Sequence, residues 1–259
     1  MEGRIQCTPV HPQVWPVPMT MRSDINSQAT TGEFEFSALA EARNYRATLV
    51  REFDSVLRGQ VLEIGAGIGQ MTAEFAQAPR VTEIVGVEPD SRFHDGFIRN
   101  NPSIKLIRGV AGEVPSEPGW DGLVAVNVLE HIEDDSGELK NWARLLSKRR
   151  GRVGIFVPAR PEIYAPIDRD FGHFRRFTKP ELHNKMTAAG FEVEQLTYFN
   201  LTGYFGWWLT FCLLQKRNFN TGSVRFFDRC IFPFGHWLES TVCRPPFGQS
   251  LLAIGRVGR

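Results

Sequence analysis

The sequence predicts an α/β sandwich, a parallel sheet with helices on both faces, and three observations carry that reading. Short apolar runs alternate with helical segments through residues 60–157. The connections between most of these runs are long enough to cross over between parallel strands. A glycine-rich turn, VLEIGAGIGQ over Val61–Gln70, stands where the first strand hands over to a helix.

Residues 1–32 mix Pro, Thr, Ser, Gln and Asn without periodicity, which predicts a mobile arm or a lid that orders over a ligand. The α/β core then runs over 33–199. Its first helix spans Phe34–Leu57, where Leu39, Ala42, Tyr45, Leu49 and Phe53 recur at spacings of three and four. Strands follow at 60–64, 82–87, 104–107, 121–126 and 152–157, with helices at 69–77, 90–99 and 134–149. A helix over 178–189 ends at Gly190, as a helix C-terminus should, and FEVEQLTYF (191–199) is the next strand. An aromatic-rich insertion, 200–248, separates it from a last strand, SLLAIGRV, within 249–259. The apolar run LTGYFGWWLTFCLL before Lys216 and Arg217 is shorter than the roughly twenty residues a membrane span needs.

Composition narrows the classes. At 259 residues and 42% hydrophobic the chain can bury a full core. With 30 basic and 29 acidic residues no global field recruits nucleic acid, so no nucleic-acid partner is expected. Cys7, Cys212, Cys230 and Cys243 form no CxxC pair, which argues against a zinc ribbon or a disulfide scaffold. The N-terminus lacks the basic start and apolar run of a secretory signal, so a reducing, cytoplasmic setting fits best.

The glycines pose the central question of chemistry. Glycine lacks a Cβ, so it tolerates positive φ and lets a ligand approach the backbone. Gly65, Gly67 and Gly69, after a buried strand and before a helix, read as the first β-α turn of a nucleotide-binding sheet. Glu88, at the end of the next strand in VGVEPD, can accept hydrogen bonds from both hydroxyls of an adenosine ribose. The ligand is then NAD or S-adenosylmethionine. NAD sites favour GxGxxG, whereas the spacing here is GxGxG, and Glu63 would repel a pyrophosphate while favouring ammonium and sulfonium charge. The balance falls to S-adenosylmethionine.

With these motifs the sequence resembles the class I S-adenosylmethionine-dependent methyltransferases, in particular the branch acting mostly on small molecules and lipids. VLEIGAGIGQMT looks like their motif I and IVGVEPD like the ribose-binding motif. DGLVAVNVLEHIEDD, with LKNWARLL and RVGIFVP after it, looks like the motifs around strands four and five. The resemblance implies a Rossmann-like three-layer sandwich whose mostly parallel seven-stranded sheet ends in an antiparallel last strand. It also implies that Gly65, Ala66 and Gly67 line the methionine moiety and that Glu63 helps hold its amino group. Glu88, with Pro89 beside it, would take the ribose hydroxyls, and Asn127 and Val128 would close over the methionine end. The stretch RGVAGEVP lacks the aspartate that many relatives present to adenine, which leaves Val110 and Ala111 as apolar and backbone contacts and Glu113 as the polar candidate. Tyr45 is either a tyrosine folded over the cofactor, as in relatives, or a core aromatic on an apolar stripe.

The acceptor side falls on PARPEIYAPIDRDFGHFRRFTKPEL (158–182), which leaves strand five at the mouth of the site. His173 is the candidate base there, with Tyr164 beside it; Asp168 and the arginines Arg175 and Arg176 read either as function or as an ion-pair network stiffening the loop. His131, in VLEHIED, is either a base or a positional group. Methyl transfer from a sulfonium is an in-line displacement needing alignment, desolvation and, for some acceptors, deprotonation. No metal is required, and the sequence shows no acid cluster of the catechol type. The expected acceptor is a small or lipophilic molecule, with 200–248 and the N-terminal arm forming its pocket. An exposed aromatic block at 204–211 beside Lys216 and Arg217 would also suit a peripheral contact with a membrane surface. The rival readings are a non-catalytic S-adenosylmethionine-binding protein, a relative coupling the same pocket to cyclisation, and an NAD-dependent oxidoreductase.

Overall fold

The computed structural model describes residues 40–216, 221–241 and 245–258. Seven strands make one sheet: β1 (Gly59–Ile64), β2 (Val81–Val87), β3 (Lys105–Ile107), β4 (Gly122–Val126), β5 (Arg152–Pro158), β6 (Phe191–Phe199) and β7 (Ser250–Val257). Their order is β3-β2-β1-β4-β5-β7-β6. The first five pair in parallel, and β7 runs antiparallel to both β5 and β6. The chain thus forms the Rossmann-like sheet expected of it. Strand order reverses between β1 and β4, and in such sheets ligands bind in the crevice beyond the carboxyl ends at that reversal.

Each central strand is apolar on both faces because each face meets helices. Leu62 and Ile64 of β1, Leu123 and Ala125 of β4, and Val153, Ile155 and Val157 of β5 share one core with Leu139 and Trp142 of α4 (Asp135–Ser147) and Leu182 and Met186 of α6 (Lys179–Ala188). Their odd-numbered or even-numbered neighbours, Val61, Val124 and Phe156, join the opposite core with Leu49 of α1 (Arg43–Glu52) and Met71 and Phe75 of α2 (Gln70–Phe75). The remaining helices are α3 (Ser91–Asn100), α5 (Pro166–Asp170), α7 (Leu201–Trp207), α8 (Thr221–Phe226) and α9 (Phe232–Thr241). Asp90, Asp134 and Thr178 accept the backbone N–H groups of Arg92, Gly137 and Glu181, closing the starts of α3, α4 and α6.

The structure changes the expected boundaries in two places. Helix α1 closes at Glu52 rather than Leu57, and Phe53, Val56 and Leu57 beyond it are fully buried where the chain passes into β1; Leu39 and the 1–32 arm lie outside the described residues. The acceptor loop, expected to be irregular, contains helical turns at Pro161–Ile163 and Pro166–Asp170. Among the described residues the insertion folds as two helical arms, a hairpin that starts and ends against β6 and β7. Helix α7 runs on as a π-helical stretch, Trp208–Leu213, and α8 continues through a second, Phe227–Ile231, into α9. Among the described residues no helix is long and apolar enough to cross a membrane.

Gly65 holds φ +69° and a β-carbon there would come 2.4 Å from Val128 Cγ2, whereas Gly190 holds φ +96° with nothing within 4 Å. Gly65→Ala therefore combines backbone strain with a clash and Gly190→Ala carries strain alone, so the first should cost about 2 kcal/mol more in urea unfolding. Equal losses would show that Val128 yields freely.

Candidate active site

The glycine turn is fixed from the tip of β2. The amides of Gly65 and Ala66 donate to the Val87 carbonyl at 2.8 and 3.1 Å. Glu88, 5% exposed, accepts the Gly67 amide through Oε2 and the Asp90 amide through Oε1, each at 2.8 Å. Burial raises the Glu88 pKa, and those two amide donors oppose the rise. Pro89 next to it is exposed. The acid and the bare backbone that the sequence placed on successive strands thus meet directly.

Beneath the turn lies Glu63, 3% exposed, with Oε2 accepting the Thr72 hydroxyl of α2. Burial pushes its pKa up to about 8, with Thr72 lowering and the neighbouring Glu88 charge raising it. At the tip of β4, Asn127 takes φ +54° and donates its amide to the Phe156 carbonyl at 2.8 Å. The turn at Asn127 sends Val128 over Gly65. After β3, Val110 is 40% exposed and Ala111 buried. Glu113 turns back to accept the Val110 amide at 3.1 Å, so the polar candidate of this loop is engaged in closing its own turn.

Tyr45 packs edge-on against Phe156 and Phe199, at 6.0 and 5.5 Å between ring centres, and lies 5.1 Å from Phe232. Burial raises its pKa, with a hydrogen bond to Ser250 opposing the rise. Its surroundings are those of the core-aromatic alternative. The start of α1 is held by Asp228, whose carboxylate accepts the Asn44 and Tyr45 amides at 3.0 and 2.9 Å.

The acceptor loop is organised by one buried carboxylate. Its base closes where Phe177 donates to Pro158 and Arg160 to Phe177. Within it Asp168, 0% exposed, accepts His173 Nδ1 at 3.0 Å, Arg176 Nε at 2.9 Å and the Ala165 amide at 2.8 Å. Burial alone would raise the Asp168 pKa, but the His173 and Arg176 contacts outweigh it and hold the carboxyl below its ordinary value. Arg176 lies 4.4 Å over the Trp207 ring, whose indole N–H donates to the Ile163 carbonyl. Of the two arginines anticipated as partners of Asp168 only Arg176 reaches it, since Arg175 pairs with Asp135. Tyr164 donates its hydroxyl to the His173 carbonyl at 2.7 Å, which positions the histidine and engages the hydroxyl proton.

His131 meets His173 edge to face, with ring centres 4.7 Å apart. Burial lowers the His131 pKa to about 4, with the His173 charge adding to the fall and a Gly172 contact opposing it. Glu130, 0% exposed, stands beside them, and ligand atoms of Glu130, His131 and His173 lie within 4.8 Å of one another. The sequence reading found no metal-ligand set because these residues sit 42 positions apart, as 173 minus 131; the fold assembles one capable of holding an ion. The only early signal was a histidine in each of the two loops.

Residues 34–196 match the sequence profile of a family described as methyltransferase domain. Solved structures share the fold. A complex of the Haloferax volcanii Trm112 methyltransferase activator with a methyltransferase aligns over 90% of this chain and 98% of that one, at TM-score 0.60 and 12% identity. A Bacillus halodurans structure described as a methyltransferase aligns over 83% and 99%, at 0.56 and 20% identity. Phosphoethanolamine N-methyltransferase 2 of Haemonchus contortus, solved with S-adenosyl-L-methionine, aligns over 83% and 53%, at 0.56 and 14% identity. No curated protein matches the chain in sequence.

The Glu63 shift sets a sign for stability. A carboxyl titrating near 8 when folded, against an ordinary 4.5, keeps a proton that the unfolded chain loses between those values. Glu63 therefore makes stability fall as pH rises from about 5 to 8, by up to about 1.4 kcal/mol per unit. Unfolding free energies of the wild type minus Glu63→Gln, measured across that window, should decline; a flat difference would place the Glu63 pKa near its ordinary value.

Proposed function

The chain belongs to the methyltransferase-domain family, and on that premise we propose that it moves a methyl group from S-adenosylmethionine to an oxygen, nitrogen or carbon of a small or lipid-like acceptor. One observation carries the cofactor assignment: a buried carboxylate, Glu88, bonded to the bare Gly67 amide at the tips of adjoining strands. The residues present suit this cofactor. Glu88 retains acceptor capacity for ribose hydroxyls. The buried Glu63 would lose its proton beside an ammonium, which offsets the burial that holds it neutral. Val128 and Asn127 flank the turn, with Gly65, Ala66 and Val110 as close-approach surfaces. When bound, the cofactor supplies an electrophilic methyl on a sulfonium. That the Haemonchus contortus structure holds S-adenosyl-L-methionine supports the reading.

On the acceptor side Asp168 accepts from His173 Nδ1 and so fixes the ring and its tautomer, which makes Nε2 the basic nitrogen that would take a proton from an acceptor hydroxyl or amine. His131, uncharged at neutral pH, adds no positive charge of its own to oppose a sulfonium. Incubating the protein with methyl-labelled cofactor and lipid and metabolite extracts, with mass spectrometry of the products, tests the proposal directly; no labelled product from any extract counts against it.

The Glu130, His131 and His173 cluster favours a second reading of the same patch. Two imidazoles and a carboxylate suit a divalent transition ion, and Asp168 stands where an outer-shell carboxylate orients a ligating histidine. An ion there would lower the acceptor pKa in place of His173. Exhaustive dialysis against chelator separates the two: activity persists with a histidine base and is lost, then restored by added Zn²⁺ or Mn²⁺, with a metal.

Glu88→Ala should weaken binding of S-adenosylhomocysteine in calorimetry by about 1–3 kcal/mol, as the ribose loses a charge-assisted partner. Unchanged affinity would place the ribose elsewhere. His173→Ala should lower turnover about a hundredfold with cofactor affinity nearly intact, and full activity would make the ring a scaffold element.

A further inference from the structure

The hairpin between β6 and β7 is built in two layers. Its inner layer packs on the core. Trp207 and Phe211 of the first arm join Ile163, Ala165 and Ile167 of the acceptor loop, and Phe232 of the second arm joins the core beneath Tyr45. Its outer layer has the opposite character expected of a solvated face. Phe205, Trp208, Leu209 and Leu213 on the first arm are 54%, 45%, 47% and 59% exposed, and Phe234 and Trp237 on the second are 65% and 54% exposed. The spacing of three and four places the first-arm residues on one helical stripe. Exposed apolar side chains in such number mark a surface that meets another apolar phase.

Charge distinguishes which phase. Segment 200–241 contains only two acids, Asp228 and Glu239. Both are buried: Asp228 closes the start of α1, and Glu239 accepts the Asn200 and Leu201 amides at the start of α7, at 3.0 and 2.6 Å. Lys216, Arg225 and Arg229 are exposed, and Arg225 pairs with Glu41. The charged side chains that the described hairpin exposes are therefore all cationic, with Arg225 and Arg229 at its edge beside Glu41 and α1. We propose that this hairpin is a lipid-docking element that seats the protein on an anionic bilayer surface, with its outer aromatic residues at headgroup level. A helix apolar on one side, cationic at its edge and too short to span lies in the interface plane. A second copy of this chain would bring the same cations face to face, whereas an anionic surface complements them.

The placement also links docking to the site. Trp207, at the end of α7, carries Arg176 on its ring, and Arg176 bonds Asp168, which holds His173. A lipophilic acceptor leaving the bilayer under this arm would enter beside those residues. Docking itself does not depend on the acceptor assignment, and its test involves no turnover.

The test is sedimentation of the full chain with vesicles of phosphatidylcholine alone and of phosphatidylcholine with phosphatidylglycerol, read together with tryptophan emission. The expected result is binding that favours the anionic vesicles, a blue shift, and weakening with added salt. Phe205→Glu with Trp237→Glu should reduce partitioning at least tenfold. Lys216→Gln with Arg229→Gln should reduce anionic binding by about twenty-fivefold, at roughly fivefold per cation. Circular dichroism melts establish that the variants fold, and the salt dependence of the wild type stands independently of them. Absence of vesicle binding at low salt overturns the proposal. So does equal binding to both vesicles, or a dimer in sedimentation velocity that the Phe205 and Trp237 substitutions dissolve.

Discussion

The site depends on the absence of one side chain. Val128 occupies the space into which a β-carbon of Gly65 would project, and this lets the tip of β4 lie against the tip of β1. Every other relation at the crevice follows from that approach. Asn127 must turn through positive φ to deliver Val128, His131 is carried one turn beyond it, and the Glu130 carbonyl receives the Phe174 amide of the acceptor loop. The reversal in strand order creates the crevice, but the bare position sets its width.

Around that constraint the molecule uses buried carboxylates as anchors. Glu88 holds the glycine turn, Asp168 the acceptor loop, Asp228 the start of α1, and Glu239 the start of α7. Each accepts hydrogen bonds from backbone amides, which is how an acid tolerates burial. Glu63 differs: it accepts a hydroxyl, that of Thr72, and burial pushes its pKa up to about 8. An acid so placed is the group best able to change its charge when a cation arrives.

The sheet was legible because its signals are local. Apolar runs bounded by turn residues specify strands β1 to β7 almost to the residue, and VLEIGAGIGQ with VGVEPD locates the tips of β1 and β2. The placement of Glu88 beside Gly67 follows from parallel pairing of adjacent strands, which the alternation of elements already implies. What sequence could not give was pairing across distance. That His173 would rest on Asp168 and face His131, that Arg176 rather than Arg175 would complete the pair, and that Glu113 would fold back on its own turn all depend on how two loops pack. Tyr45 lay on a visible stripe, yet only the position of Phe199 and Phe232 shows which aromatic neighbours surround it. The hairpin was legible as aromatic but not as two-layered, since the same residue types line its buried and its exposed faces.

The two sequestered acids of the hairpin have an effect on how it can move. Because Glu239 grips the beginning of the first arm and Asp228 grips α1, lifting the hairpin from the body would strand both carboxylates and several amides without partners. The first arm is thus fastened at its beginning, and the second along its length, by Asp228 and by the pair of Arg225 with Glu41. An element held on both arms passes a push on its outer face inward, to Trp207 and the acceptor loop it touches.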